Sequence, residues 1–168
     1  VFRRSGNIIT TKDHKPNDPF ERMRVESRGG TVSCHYGIYR VNGALSMSRA
    51  LGNKDLRPAV TAKPDIMKIN LFGSRSTPND PVEFLVIGSD GLWDVLDAKT
   101  IMEVLHDSNL NTLQLKAFEL VRKAYLKGSE DNISCVVVDF RDYVCNLSTQ
   151  STAENGSSGG KMSSKRSS

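Results

Sequence analysis

An apolar segment, VEFLVIGS (82–89), limits the possible folds more than any other part of the chain. Its β-branched and aromatic residues, in a run of this length, are typical of a buried β-strand. The segment is followed at once by Asp90 and Gly91, and then by Trp93 and a second acid, Asp94. A strand that delivers a carboxylate at its tip either ends in a simple turn or holds a ligand there.

A second apolar segment, ISCVVVDF (133–140), predicts the last strand, and its nearly continuous apolar character predicts burial on both faces. Asp131 lies just before this strand. If the two strands were parallel, Asp90 and Asp131 would lie a strand length of about 20 Å apart. If the strands were antiparallel, both acids would lie at the same edge of the sheet. The long helical connection ordinarily favours a parallel crossover, so the residues alone leave both arrangements open.

Two carboxylates at one edge would suit a divalent cation. Like charges a few ångströms apart raise each other's pKa unless a cation lies between them. Oxygen ligands without a neighbouring His favour Mg²⁺ or Mn²⁺ over Zn²⁺, and two such ions about 3.5 to 4 Å apart activate water for attack on phosphorus. Turn chemistry is the competing explanation and, from composition and spacing alone, the commoner one, because Asp-Gly and Asp-Asn pairs are frequent in loops. Trp93 is interpreted as a core residue.

Three helices are predicted from their capping residues. Asp18, Pro19 and Glu21 supply an N-cap, an N1 proline and a returning acid for a short, charged, largely exposed helix over 20–28. Between the two apolar strands, Asp97 is expected to cap a helix that reaches about His106. Asn111 or Thr112 is expected to cap another, which Gly128 ends.

The remaining extended segments are shorter. TVSCHYGIYRV (31–41) predicts a strand or a pair of strands, and Asn42-Gly43 predicts a hairpin turn because both residues tolerate positive φ. The segment ALSMS (44–48) would be the returning strand. A further extended piece is predicted over VTAKPDIMKINLF (60–72), in which Pro64 indicates an edge or a bulge.

Composition excludes several classes of protein. The formal net charge of +4 in 168 residues gives no electrostatic case for nucleic acid binding. No apolar run approaches the ~18 residues of a membrane span, and the N-terminus lacks a signal pattern, so we expect no membrane association and a cytosolic or nuclear location. Cys34, Cys135 and Cys145 are widely spaced and form no C-x-x-C pair, which predicts reduced thiols.

The chain is expected to be a piece of a larger domain, because it begins VFRRSGN without an initiator Met. Residues 144–168 are rich in Ser and Gly and poor in apolar side chains, so they are predicted to form a disordered tail. The folded part is then predicted to cover residues 1–143.

Four segments in order resemble motifs of the metal-dependent protein phosphatases, the protein phosphatase 2C family. They are KDHKP (12–16), RVNGALSMSRALGN (40–53), IGSDGLWDV (87–95) and GSEDNISCVVV (128–138). The resemblance extends to about Phe140 and implies an α+β fold, an antiparallel β-sandwich flanked by helices, whose N-terminal half is missing from this chain. It also implies the antiparallel relation of the two apolar strands.

The resemblance further implies a function. It implies hydrolysis of phosphoserine and phosphothreonine on phosphorylated proteins by metal-activated water, without a phosphoenzyme, with a binuclear Mg²⁺ or Mn²⁺ centre. Asp90 and Asp131 match the family's metal ligands, and Asn132 matches a residue that fixes their loop. We expect a monomer that is inactive alone, since the family's early ligands and its D-G-H-G-G motif, with its general-acid His, are absent from these residues. No catalytic residue is assigned, and His14, His35 and His106 are interpreted as structural.

One further difference from the family motifs concerns Asn53. Many family members have Asp there, linked with Asp94 to a weaker third metal, so the affinity for a third metal should fall. Arg49 and Lys54 on the same loop are interpreted as solvated charges. Two alternatives remain: a catalytically dead phosphatase-like module that binds partners, and, less well supported because no D-x-D motif occurs, a haloacid-dehalogenase-type phosphatase.

Overall fold

The computed structural model describes residues 1–73 and 79–145. Residues 146–168 of the predicted tail lie outside the described residues, whereas residues 144 and 145 belong to a helical segment, 141–145, in which Val144 is buried. The elements in chain order are β1 (Phe2–Arg3), α1 (Pro19–Glu26), β2 (Val32–His35), β3 (Ile38–Val41), a 3₁₀ helix (Lys54–Leu56), β4 (Val82–Gly88), α2 (Asp90–Trp93), α3 (Ala98–His106), α4 (Leu113–Leu126) and β5 (Cys135–Asp139).

The chain divides into two compact units. One contains Val1–Thr10 and the described residues from Ile69 onward, and the other contains Thr11–Lys68. Within the described residues, no helix has both the length and the apolar character needed to cross a membrane. Among the described residues, Cys34, Cys135 and Cys145 form no disulfide bond.

The first unit is built on a three-stranded antiparallel sheet with the order β1-β4-β5. The predicted strand over 82–89 is confirmed as β4, which lies at the centre of this sheet. Strand β5 pairs with it in antiparallel register from Phe84↔Asp139 to Gly88↔Cys135. The predicted last strand and the antiparallel relation that the family resemblance implied are therefore both confirmed.

Helices α3 and α4 cover one face of this sheet. Their capping residues are confirmed: the Asp97 carboxylate accepts a hydrogen bond from the Thr100 N–H, and the Thr112 hydroxyl oxygen accepts one from the Leu115 N–H. Apolar side chains of both helices and of the covered sheet face form one core cluster, whose fully buried members include Phe84, Ile101, Leu105 and Leu120.

The prediction that the last strand is buried on both faces is wrong for this structure. Val136 is 55% exposed, and its cross-strand partner Ile87 is 57% exposed. Directly opposed residues of an antiparallel pair lie on the same face. The core helices pack on the other face, so the apolar run of β5 reflects one buried face and one face that the described residues leave open.

The second unit contains α1 and the hairpin β2–β3. Helix α1 begins as predicted, since the Asp18 carboxylate accepts hydrogen bonds from the N–H groups of Phe20 and Glu21. Glu21, however, does not return to the helix N-terminus. It is 5% exposed and binds the side chains of Arg24, Ser48 and Arg49 instead.

Two predicted strands of this region are wrong. The turn predicted at Asn42-Gly43 is confirmed, with φ 50° and 68°, but the segment after it forms only a single bridge, between Val41 and Leu45. The hairpin β2–β3 turns instead at Tyr36-Gly37, where both residues also have positive φ. The extended piece predicted over 60–72 contains no strand and makes one bridge, between Thr61 and Arg49.

Candidate metal centre

Asp90 lies at the end of β4, where the chain turns directly into α2. Ser89 is still extended, with φ −71° and ψ 168°, and Asp90 is the first helical residue. The turn is anchored by Leu92, which is fully buried, and by the Trp93 indole N–H, which donates to the Gly88 carbonyl at 3.1 Å. Trp93 was predicted to be a core residue, and this prediction is wrong, because 37% of the residue is exposed.

Asp131 lies in the loop between α4 and β5. Gly128 ends the helix with φ 87°, and the loop then leads through Asp131 to the first residues of β5. The side chain of Asp131 is exposed, as is that of Asp90. Each carboxylate accepts a hydrogen bond at Oδ1 from the N–H of the next residue, Gly91 at 3.1 Å and Asn132 at 2.6 Å.

The two loops are in direct contact. The antiparallel register places the end of β4 beside the start of β5, so that both acids lie at one edge of the sheet. The backbones approach so closely that a Cβ atom added to Gly91 would lie 2.6 Å from the Asn132 carbonyl oxygen and 3.4 Å from the Asp131 Cβ. The structure thus brings together the two segments that carry the predicted metal ligands.

The chemistry of this edge fits a hard divalent cation. Among the described residues, neither Asp90 nor Asp131 has a basic side chain in ion-pair contact, and Oδ2 of each makes no hydrogen bond. Carboxylate oxygens of this kind are the ligands that Mg²⁺ and Mn²⁺ prefer. Within the described ranges, however, no three His, Cys, Asp or Glu side chains are grouped so that they could hold a metal ion. The two carboxylates alone are fewer oxygen ligands than either cation takes.

Asp94, Asn53 and Asn132 were also singled out in the sequence. Asp94 is exposed at the end of α2, and its N–H donates to the Asp90 carbonyl at 2.8 Å. Asn53 belongs to the second unit, where it is exposed and adopts a left-handed conformation, with φ 50°. Asn132 does tie its loop, although through its backbone, since its carbonyl accepts a hydrogen bond from the Ser89 hydroxyl at 2.9 Å.

Arg49 is not the solvated charge that was predicted. Its guanidinium forms ion pairs with Glu21 and Asp65, and its side chain is only 18% exposed. Hydrogen bonding to Glu21 raises the Arg49 pKa above its ordinary value, against the opposing effect of burial. Arg49 is thus a structural cation of the second unit.

The histidines occupy structural positions. His14 Nε2 lies 2.8 Å from Asp65, and His106 lies between the Met102 carbonyl and the Glu83 carboxylate, at 3.0 Å and 2.9 Å. His35 ends β2 at the surface. None of the three lies in the two loops that carry Asp90 and Asp131.

Two serines at this edge were not predicted from the sequence. The hydroxyls of Ser89 and Ser129 hydrogen-bond across from one loop to the other. Both serines stand next to glycine and acid in motifs that were singled out, but serine is common in turns, so the pattern indicated only local turn chemistry. Their partners are distant in the sequence and become visible only in the fold.

Comparisons with known proteins agree on one family. A family model described as Protein phosphatase 2C matches residues 1–133. The chain is 42% identical over 141 residues to "Probable protein phosphatase 2C member 13, mitochondrial" of Oryza sativa subsp. japonica, which covers 83% of this chain and 36% of that protein. The chain spans about a third of the length of the curated relatives that it matches.

Solved structures show the same fold. A sex-determining protein of C. elegans superposes with a TM-score of 0.67 at 27% identity, covering 82% of this chain and 34% of that one. Serine-threonine phosphatase 2C from Toxoplasma gondii superposes with a TM-score of 0.64 at 24% identity, covering 81% of this chain and 48% of that one. The predicted α+β fold with antiparallel sheets is thereby confirmed.

Proposed function

The chain belongs to the protein phosphatase 2C family, and we propose that the intact protein hydrolyses phosphoserine and phosphothreonine esters on phosphorylated proteins with Mg²⁺ or Mn²⁺. The family membership supports the reaction class. The observation that carries the proposal to this chain is the antiparallel pairing of β4 with β5, which places Asp90 and Asp131 at one sheet edge.

In the proposed site, Asp90 and Asp131 hold the cations. Each carboxylate keeps one oxygen bound to the N–H of the following residue, which orients the group, and presents the other oxygen for a ligand. When bound, a pair of divalent ions supplies an activated water and stabilises negative charge at the phosphorus. Carboxylates aimed by backbone donors keep their geometry when the cation arrives, so little reorganisation is needed.

We propose that this chain alone is inactive. Two carboxylates do not complete a binuclear centre, and the described residues offer no third ligand beside them. The open sheet face with Ile87 and Val136 also supports a larger domain, because a packed layer would bury these side chains. The β-sandwich that the family resemblance implies would place a second sheet on such a face.

The experiment is a phosphatase assay on the full-length protein that contains this chain. With a phosphothreonine peptide and Mn²⁺, Asp90→Ala and Asp131→Ala should each lower kcat by about a hundredfold or more, because each removes charge that holds the cations. The matched control is Glu130→Ala, which removes an exposed acid of the same loop next to Asp131. Its rate should stay within about twofold of the unaltered protein.

Two results would contradict the assignment. Full activity in either aspartate variant would refute the role of that residue, and an equal loss in all three variants would show that only the net negative charge of the loop matters. Circular dichroism of each variant, recorded beside its Mn²⁺ titration, separates loss of the metal from loss of the fold.

Asn53 favours a second candidate, a phosphatase-like module that binds partners without catalysis. The family resemblance implies an Asp at this position, linked to a third metal, in many family members, whereas Asn53 has no charge. The same assay decides between the two candidates. A full-length protein that binds phosphopeptide and Mn²⁺ but shows no turnover would favour the module.

A further inference from the structure

The geometry points to Ser89 and Ser129 as positioning residues, whose hydroxyls cross-link the two loops and thereby set the separation of the Asp90 and Asp131 carboxylates. The inference rests on the proposed function, since it assigns a purpose to the spacing of two metal ligands. Neither hydroxyl is assigned to the metal or to the substrate.

Ser89 stands at the N-cap position of α2 but does not cap it. A serine in this position usually accepts a hydrogen bond from an N–H of its own helix. The Ser89 hydroxyl makes no such bond. Instead it donates to the Asn132 carbonyl at 2.9 Å and accepts from the Ser134 N–H at 3.0 Å. The Ser89 hydroxyl thus binds backbone groups of the other loop on both sides of residue 133 and leaves the N-terminus of α2 without a side-chain cap.

Ser129 makes the reciprocal connection. Its hydroxyl donates to the Gly91 carbonyl at 2.7 Å, across 38 residues of sequence. One cross-link therefore joins residues 89 and 132, and the other joins residues 91 and 129. Asp90 lies between the two attachment points on its own loop, and Asp131 lies between the two on the other. The pair of acids is bracketed on both sides.

The hydroxyls supply most of the polar contact between the loops. Four hydrogen bonds join residues 89–91 to residues 129–134, and three of them involve the Ser89 or the Ser129 side chain. The fourth is the backbone bond from the Ser89 N–H to the Ser134 carbonyl, at 3.1 Å. Removing the hydroxyls would leave the acids on loops joined by that single bond and by the close contact at Gly91. A metal site needs its ligands held within about 0.5 Å, so such loosening should reach the metal.

The test measures Mn²⁺ affinity directly in the full-length, metal-free protein by isothermal titration calorimetry and by the electron paramagnetic resonance signal of free Mn²⁺. Ser89→Ala and Ser129→Ala should each weaken Mn²⁺ binding roughly tenfold, the effect typical of residues that orient metal ligands. The KM for a phosphothreonine peptide at saturating Mn²⁺ should not change. The conservative variants Ser89→Thr and Ser129→Thr keep the hydroxyl and should restore the affinity to within about threefold of the unaltered protein.

Thr112→Ala is the control for a merely structural effect. It removes the hydroxyl that caps α4, together with a methyl group, in the same unit and at the opposite end of the helix from Ser129. It should lower the melting temperature of the metal-free protein as much as Ser129→Ala does, or more, and leave Mn²⁺ affinity unchanged.

Three outcomes would decide against the inference. If both alanine variants bind Mn²⁺ as tightly as the unaltered protein while Asp90→Ala and Asp131→Ala do not, the positioning role is refuted and the proposed function stands. If the aspartate variants also bind normally, the proposed function fails with it. A tenfold loss in Thr112→Ala would show that lowered stability alone weakens the metal site. Should Ser89→Ala fail to fold, Ser129→Ala, which removes one hydrogen bond, decides the question by itself.

Discussion

Glu21 is buried in the second unit between two arginines, and replacing it by glutamine should show what this arrangement contributes. The carboxylate accepts hydrogen bonds from Arg24 at 2.9 Å and from the Ser48 hydroxyl at 2.6 Å, and it forms an ion pair with Arg49 at 2.5 Å. The network ties α1 to the loop that follows the β2–β3 hairpin. Because Glu21 is only 5% exposed, solvent screens these contacts little.

The magnitude follows from the pKa of Glu21. Burial raises this pKa, but the hydrogen bonds from Arg49, Ser48 and Arg24 outweigh it and lower the pKa from 4.5 to about 2. At about 1.36 kcal/mol per pKa unit, the difference is worth about 3 kcal/mol. We therefore expect Glu21→Gln to lower the free energy of unfolding at pH 7 by about 3 kcal/mol, in the range found when a buried ion pair loses one partner.

The effect has a defined pH dependence. Below about pH 4.5 the unfolded chain takes up a proton at Glu21 that the folded protein does not take up until about pH 2. The unfolded state then binds more protons, so the stabilisation is complete above pH 4.5 and is lost as the pH falls toward 2. The difference between the unaltered protein and Glu21→Gln should shrink across this window.

Urea unfolding between pH 7 and pH 3, followed by circular dichroism, measures both quantities. Glu26→Gln is the matched control, because it makes the same change on the same helix in an exposed pair with Arg22 at 2.8 Å. That pair should contribute less than about 0.5 kcal/mol. If Glu21→Gln costs no more than Glu26→Gln, or if the difference between Glu21→Gln and the unaltered protein does not change with pH, the network does not stabilise the second unit.

Three further predictions concern single positions. Gly91→Ala should lower the free energy of unfolding by roughly 1 to 3 kcal/mol and weaken Mn²⁺ binding, because the new Cβ would lie 2.6 Å from the Asn132 carbonyl oxygen. Unchanged thermal melting and Mn²⁺ titration curves would contradict this close approach. Asn53→Asp should tighten the weakest Mn²⁺ site of the full-length protein by restoring a charge, as a calorimetric titration would show. Burial raises the pKa of the Cys135 thiol to about 11, so its alkylation by iodoacetamide should be slow at pH 8 and should accelerate about tenfold per pH unit up to that value, which mass spectrometry can follow.

The three capped helices and the central strand were predictable because short stretches of sequence determine them. Asp18, Asp97 and Thr112 each cap the helix that follows them, because an N-cap bond joins residues two or three positions apart. The central strand β4 was equally clear, since its apolar run is continuous. These parts of the fold are determined within single windows of sequence.

Whether a segment forms a strand was not predictable where distant residues decide its pairing. The segment after Asn42-Gly43 carries a strong hairpin signal, yet Ser48 is fully buried and bonded to His14 and Glu21, more than 25 residues away. These contacts hold the segment apart from β3 beyond the bridge at Leu45. The turn at Asn42-Gly43 forms, but tertiary bonds of this kind override the strand pairing that would follow it, and nothing within the segment indicates them.

At the candidate site, the residue types were predictable from the motifs, and the convergence was not. Asp90 and Asp131 stand out as acids at strand ends, but the residues alone could not say whether they share an edge. The family resemblance supplied that relation, and the pairing of β4 with β5 confirms it. The serine cross-links stayed hidden for the same reason as the contacts of Ser48, since each joins loops about 40 residues apart.

The convergence nevertheless has a cause that can be traced along the chain. A single helix between two strands returns the chain to the sheet edge at which the first strand starts, so the next strand runs parallel to the first. Here the short helix α2 and two longer helices, α3 and α4, separate β4 from β5, and each of the two longer helices crosses the sheet once. The end of α3 lies at the start of β4, where His106 contacts Glu83, and the end of α4 has come back to the other edge, where Ser129 contacts Gly91. An even number of crossings delivers the chain to the edge it left, so β5 must run antiparallel and both acids must share that edge. The caps of both helices are visible in the sequence, but that each helix crosses the sheet once is shown only by the contacts of the folded chain.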